Sequence, residues 1–271
     1  MSIRTTLRDS LGAHPRLDGL FRRLLWSRIH FPEMELRFLN DQPAGSIDVA
    51  IDVGAALGPY SWVLNRRARQ VFAFEPGEQH GRFLEANVTG TRITLVRAAV
   101  GDEFKTVNMY TAGSDTHAFH SATLSQSNPV AAKSGATIRQ VEQVTLDGFF
   151  ADELDTDRTV DVLKVDVEGY ENAVFRGAQE LLRMYHPLVI CEIEARHDPE
   201  YHKTFELLRS LGYKSYIFRD GGYRLFDGDT IHQFQSAEAL KERLSGRYNP
   251  AKNEYFNNFV FQHPQSRVKV A

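Results

Sequence analysis

The sequence predicts an α/β domain on a mostly parallel sheet that ends in antiparallel strands, preceded by a helical extension. Three observations carry the prediction. From about residue 46 onward, short apolar runs of strand length alternate with amphipathic helical stretches, the pattern of a parallel sheet covered on both faces. The first run closes on a glycine-bearing turn, and the second closes on a carboxylate, Glu75, 21 positions after Gly54 of that turn. After Gly212 the rhythm changes to that of a hairpin.

Taken in order, residues 1–45 read as the helical extension, with Leu17, Leu20, Phe21, Leu24 and Leu25 at helical spacing beside arginines. Packing over the sheet, or against a second copy as a homodimer through these helices, is the simpler fate for that apolar face. Lying on a membrane or lipid substrate is the other. Residues 46–271 form the main domain. Its strands are expected at Ser46 to Val53, Gln70 to Glu75, Arg92 to Val100, Val160 to Val167 and Leu188 to Ile193. Helices are expected at Tyr60 to Arg67, Gln79 to Val88, Asn172 to Met184 and Pro199 to Leu211. Tyr213 to Arg219, Gly221-Gly222 and Tyr223 to Phe226 read as the hairpin, and Phe256 to Gln262 as the last strand. Thr111 to Ala136 lacks periodicity and reads as a long loop, of the kind that often serves as a binding lid.

At 271 residues with 42% hydrophobic content, one large domain with a sizeable core is the simplest arrangement. A net charge of −3, from 32 basic and 35 acidic residues, supplies no global field toward nucleic acid or an anionic membrane. Nucleic acid is therefore not the expected partner. The single cysteine, Cys191, lies in the apolar run from Leu188 to Ile193 and reads as a buried inert thiol. Without a second cysteine no intrachain disulfide forms, which suits a reducing compartment. No stretch approaches the ~20 apolar residues of a membrane span. The apolar segment near the start is interrupted by Arg22, Arg23 and Arg28, so it does not read as a signal peptide, and a cytoplasmic location is expected.

The first turn reads Asp52-Val53-Gly54-Ala55-Ala56-Leu57-Gly58, with Ser61 just inside the following helix. Gly54 and Gly58 permit a tight turn and a close approach of ligand to backbone at a helix N-terminus. Glu75, before the rigid Pro76, stands where nucleotide-binding sheets place an acid that accepts from both ribose hydroxyls. A dinucleotide sets its pyrophosphate against a G-x-G-x-x-G turn; here the spacing is G-x-x-x-G, Ala56 adds a methyl group and Asp52 adds negative charge. Those features favour S-adenosylmethionine (SAM), which carries no phosphate and has an amino group for carboxylates, over a nicotinamide cofactor.

The chemistry-bearing residues downstream are acidic. In Val162 to Glu171, side chains at Lys164, Asp166 and Glu168 project to one face of an otherwise apolar strand, a costly arrangement unless they are paired or functional. The next strand ends in Glu192 and Glu194, and together these form an acidic mouth at the carboxyl ends of the strands. Such a mouth can deprotonate a hydroxyl, bind a divalent cation such as Mg²⁺, or bind the hydroxyls of a sugar. Asp166 and Glu192 are the candidate catalytic acids, with His197 a candidate base directly after them. Asp166 also faces the cofactor, while Lys164, Glu168, Glu194, His117 and His120 are candidate substrate contacts.

These motifs together resemble the FkbM-type family of SAM-dependent methyltransferases. The resemblance runs through Asp52 to Gly58, Phe74-Glu75-Pro76, Ala98-Ala99-Val100-Gly101-Asp102, Thr145-Leu146-Asp147, Lys164 to Glu171 and Arg176-Gly177-Ala178. It implies a Rossmann-like class I methyltransferase sheet, SAM as cofactor, Ala99 and Val100 near the adenine, and O-methylation of a sugar, glycan or secondary-metabolite hydroxyl. One departure is Ala56, where the family commonly has Asn. A metal-assisted O-methyltransferase using Asp166, Glu168 and Glu192, and a SAM-binding protein without catalysis, are the alternatives.

Overall fold

A computed structural model describes residues 33–111, 122–132, 135–154, 157–244 and 255–270. The chain enters with α1 (Met34–Asp41), whose Leu36 and Leu39 are buried. Strand β1 (Ile47–Val53) follows and is buried along its whole length. Its polar start is satisfied internally: Asp48 accepts from the Thr159 amide at 2.9 Å and pairs with Arg158, while the Asp48 amide donates to Asp161 Oδ2 at 2.6 Å. Next come α2 (Pro59–Asn65), β2 (Ala68–Phe74), α3 (Glu78–Val88) and β3 (Ile93–Val96).

Among the described residues the main sheet has eight strands. With β8 (Val160–Val165), β9 (Leu188–Glu192), β10 (Lys214–Arg219), β11 (Gly222–Leu225) and β12 (Asn258–Gln262), its order is β11-β10-β12-β9-β8-β1-β2-β3. Strands β3, β2, β1, β8 and β9 are parallel, and β12, inserted between β9 and β10, begins the antiparallel end. Strand alternation divides the core between the two faces. Val49, Ile51, Leu163, Val165 and Val189 join one apolar cluster; Ala50, Val162, Leu188 and Ile190 join the other, together with Leu36, Leu39, Val63 and Leu64. Helix α1 therefore packs onto the domain. Residues 1–32, which carry the rest of the expected helical extension and its dimer face, lie outside the described residues. No described helix is long and apolar enough to cross a membrane.

Four expectations are corrected. The run Arg92 to Val100 is two strands: β3 ends at Val96, and β4 (Ala99–Val100) pairs with β7 (Thr137–Val144) in a second sheet of order β4-β7-β5-β6. Apolar periodicity continues across the break, so only the choice of partner strand reveals it. The second sheet includes β5 (Lys105–Thr111) and β6 (Ala122–Thr123), inside and beside the segment expected to be loop; residues 112–121 of that segment lie outside the described residues.

The helix expected from Asn172 to Met184 divides into α5 (Glu171–Arg176) and α6 (Gln179–Tyr185). Gly177 lies between them, so close to the second sheet that a Cβ there would be 2.0 Å from the Gly101 carbonyl oxygen. The Asp147 carboxylate, at the start of α4 (Leu146–Phe150), accepts from the Glu180 and Leu181 amides and restarts the helix. The hairpin turn is centred on Asp220-Gly221, both left-handed, as a two-residue turn between right-twisted strands requires. After α7 (His202–Ser210) and the hairpin, a 3₁₀ turn (Gly228–Gln233) and α8 (Ala237–Leu244) add elements not expected from periodicity.

Candidate active site

The turn after β1 is fixed by the strands on both sides. Gly54 and Ala55 both donate to the Phe74 carbonyl at 3.0 Å, and Asp166 N–H donates to the Val53 carbonyl at 3.0 Å. Gly54 has φ +77, and a Cβ there would be 1.9 Å from the Asp166 carbonyl oxygen, so only glycine lets the ends of β1 and β8 meet. Ala56 is also left-handed, with φ 49. Asn tolerates that conformation better than Ala, which gives a backbone reason for the Asn that the family pattern carries at this position.

Glu75 stands at the end of β2 and is 6% exposed. Its Oε2 accepts from the Ala56 amide at 2.8 Å and its Oε1 from the Gly77 amide at 2.7 Å. The two amides lock the carboxylate in one orientation at the edge of a cleft of about 250 Å³. Burial raises its pKa to about 7, against the lowering effects of the two amides and of Arg97. The cleft is also lined by Gly54, Ala56, Pro76, Ala98, Ala99 and Val100, by Met109 and Thr123 from the second sheet, and by Asp166 and Glu168. An apolar wall of Ala98 to Val100 and Met109 faces a fixed carboxylate, which suits a nucleoside with an aromatic base and a vicinal diol. SAM fits that donor set and that wall.

Asp52 and Ser61 lie behind the turn rather than on the cleft wall. Both are buried, and the Ser61 hydroxyl donates to Asp52 Oδ2 at 2.5 Å. Burial raises the Asp52 pKa to about 6, opposed by Ser61 and Lys164.

The acidic mouth forms at the ends of β8 and β9. Lys164 is 1% exposed; its Nζ is 3.6 Å from Asp166 Oδ2 and 4.9 Å above the Tyr60 ring. Burial would lower its pKa, but Asp166, Glu192 and Glu33 together outweigh that and raise it, so the ammonium stays charged. Asp166 follows β8, with its side chain about one-third exposed to the cleft. Glu168 departs from simple alternation: its φ is 52, and its carbonyl accepts from Thr123 Oγ1 at 2.8 Å and Asn128 Nδ2 at 2.6 Å. His197 Nδ1 sits 2.6 Å from Glu168 Oε2, and its Nε2 is 3.9 Å from Glu194 Oε2.

Glu192 and Glu194 are set one strand away from the cleft. Both are held by Asn257 Nδ2, at 2.6 and 3.3 Å, and Glu194 also pairs with Arg196. Burial, reinforced by Asp166, raises the Glu192 pKa well above the carboxylate range. Glu171, absent from the sequence-derived set, is buried and accepts from the Gly169 amide; burial raises its pKa to about 8. Among the described residues, no group of three or more His, Cys, Asp or Glu side chains is arranged to hold a metal ion. His117 and His120 lie outside the described residues.

Several contributors escaped the sequence reading. Met109 comes from a strand hidden in a polar segment, and Asn257 reaches the acids only because β12 inserts beside β9. The motifs far from the cleft prove to be joints. Arg176 pairs with Asp102 at 2.6 Å, Thr145 Oγ1 accepts from Gly148 N–H to start α4, and Asp147 starts α6.

The parallel sheet, the turn after its central strand and the acid ending its neighbour define a class I, Rossmann-like methyltransferase. A family model described as the methyltransferase FkbM domain matches residues 52–215, more than half of the chain. The chain belongs to this methyltransferase family. Among solved structures, it is similar to the FkbM methyltransferase of Methylobacillus flagellatus KT at 16% identity and a TM-score of 0.48, covering 87% of this chain and 47% of that one. The chain thus spans about half the length of that protein. An rRNA methylase of Streptococcus thermophilus is similar at 10% identity and TM-score 0.45, over 88% of this chain and 99% of its own. SMU.1697c of Streptococcus mutans, in complex with SAH, is similar at 12% identity and TM-score 0.42, over 71% and 90%. No curated protein matches the chain.

Proposed function

We propose that this protein is a SAM-dependent O-methyltransferase acting on a hydroxyl of a sugar, a glycan or a secondary metabolite. The observation that carries the reading is that Asp166 and Glu75 line one cleft, and Asp166 keeps an exposed carboxylate there beside a fully buried ammonium, Lys164. In this reading Glu75 takes the ribose hydroxyls, with Pro76, Ala99 and Val100 beside the adenine. Gly54, Ala55 and Gly58 shape the turn at the methionine end, with the negative charge of Asp52 and its partner Ser61 behind it.

When bound, SAM supplies a methyl group already activated by positive sulfur. The residues of the chain then have to position and deprotonate the acceptor. Asp166 orients the hydroxyl and takes its proton at a carboxylate oxygen, while Lys164 Nζ, 3.6 Å from Asp166 Oδ2, holds that carboxylate in place. Between the two candidate acids, placement favours Asp166, because Asp166 lines the cleft while Glu192 lies off its wall and is held by Asn257. The Glu168–His197 pair, at 2.6 Å, offers the proton an onward acceptor at the rim.

The test is SAH production by wild type and Asp166→Asn across a panel of sugars, glycans and polyketides with SAM saturating. A large fall in turnover with retained SAH affinity supports the reading. Unchanged turnover of Asp166→Asn removes it.

A further inference from the structure

A second groove, of about 550 Å³, adjoins the cofactor cleft and is lined by Lys105, Asn108, Tyr110, Leu124, Ser125 and Tyr170 among others. Leu124 lines both spaces, so it forms a common rim. Strand β5 serves both by alternation: Met109 faces the cofactor cleft, while Asn108 and Tyr110 face the groove. The wall between them is anchored to the acidic mouth, because Thr123 and Asn128, from either side of Leu124, both donate to the Glu168 carbonyl.

The groove is built rather than incidental. Tyr170 donates to Gln143 Oε1 at 3.1 Å; Gln143 is 2% exposed and its Nε2 donates to the Glu103 carbonyl at 2.8 Å. The Tyr170 ring is therefore held in place by a buried amide. Ser125 and Ser127 hydroxyls lie 2.8 Å apart on the opposite wall, with Gln126 between them. Lys105, the one cation among the described lining residues, is already paired with Glu103 at 3.1 Å, so these residues present little net charge.

We infer that this groove binds the part of the methyl acceptor remote from the reacting hydroxyl, and that this part is a neutral, polyhydroxylated ring. The fixed Tyr170 ring, with Tyr110 also in the lining, accepts the C–H face of such a ring. Asn108, Gln126, Ser125 and Ser127 supply both donors and acceptors to its hydroxyls. Among the described lining residues an anionic group would find only Lys105, already paired with Glu103, and an aliphatic one would leave the amides and hydroxyls unmatched. The inference rests on the O-methyltransferase reading, since it supplies the acceptor for the same cleft.

The experiment is saturation-transfer NMR on the full-length protein with SAH present, using methyl glycosides of neutral hexoses and deoxyhexoses and of uronates as probes. SAH affinity is measured separately by calorimetry. Neutral glycosides are expected to bind, and Tyr110→Ala and Asn108→Ala to weaken them about fivefold to tenfold while SAH affinity is unchanged. No neutral glycoside binding, binding of uronates alone, or unchanged binding in both variants would overturn the inference. Failure of SAH to bind wild type would instead strike the cofactor reading, and the glycoside signal would still report on the groove.

Discussion

Glu75 offers a test in which pH and mutation report on the same atom. Its carboxylate is buried and its pKa is about 7, so it is about one-tenth ionised at pH 6 and about nine-tenths ionised at pH 8. The two amides that hold it occupy part of its accepting capacity, and the rest is directed at the cleft. A diol that donates two hydrogen bonds prefers the ionised form. 5′-Methylthioadenosine is the suitable probe, since it carries the adenine and ribose without the titrating amino acid of SAM. Its affinity, by calorimetry, should rise about tenfold from pH 6 to pH 8, following that change in ionised fraction. Glu75→Gln should abolish the slope, because the amide does not titrate. It should also cost ~1.5–3 kcal/mol of binding at pH 8, the range for hydrogen bonds to a charged acceptor, or about tenfold to 150-fold in Kd. The same affinity at both pH values in wild type, together with an unaltered Kd in Glu75→Gln, would refute the ribose contact.

Other expectations follow from the same geometry. Asp52, Glu75 and Glu171 have pKa values raised to about 6, 7 and 8. A carboxylate raised in the folded state contributes stability that is fully present below its unfolded value and lost as pH rises through the folded value. The ligand-free protein should therefore melt at a higher temperature at pH 5 than at pH 8.5, and Glu171→Gln should lessen that difference, as calorimetry can check. Gly54→Ala should cost ~3 kcal/mol or more, since it combines a left-handed backbone with an overlap on the Asp166 carbonyl, and its chemical-denaturation midpoint should fall accordingly. Ala56→Gly should instead stabilise the ligand-free fold by up to ~1 kcal/mol, by relieving the left-handed alanine. Asp147→Ala should cost ~1 kcal/mol through the lost α6 cap while leaving SAH affinity intact.

The sequence alone determined the elements whose physics is local. Periodicity located the central strands β1 and β8 because each is buried along its whole length, and the change of rhythm after Gly212 marked the hairpin, although its turn falls at Asp220-Gly221 rather than at the expected Gly221-Gly222. Gly54 and Glu75 were legible as a pair because sheet geometry ties a strand-end acid to the neighbouring turn, and the contact between the Ala56 amide and Glu75 is that tie. Tertiary structure decided what depends on partners distant in sequence. The second sheet went unread because β5 and β7 are largely exposed and polar, so no buried face marks them. Gly177 divides a helically periodic run because the Gly101 backbone needs its space. The acidic residues formed one set in sequence, and the fold gathers them at the ends of β8 and β9 but gives only two of them to the cleft. Asp166 and Glu168 reach the cleft from the end of β8, whereas Glu192 and Glu194 turn to Asn257 because β12 inserts beside β9.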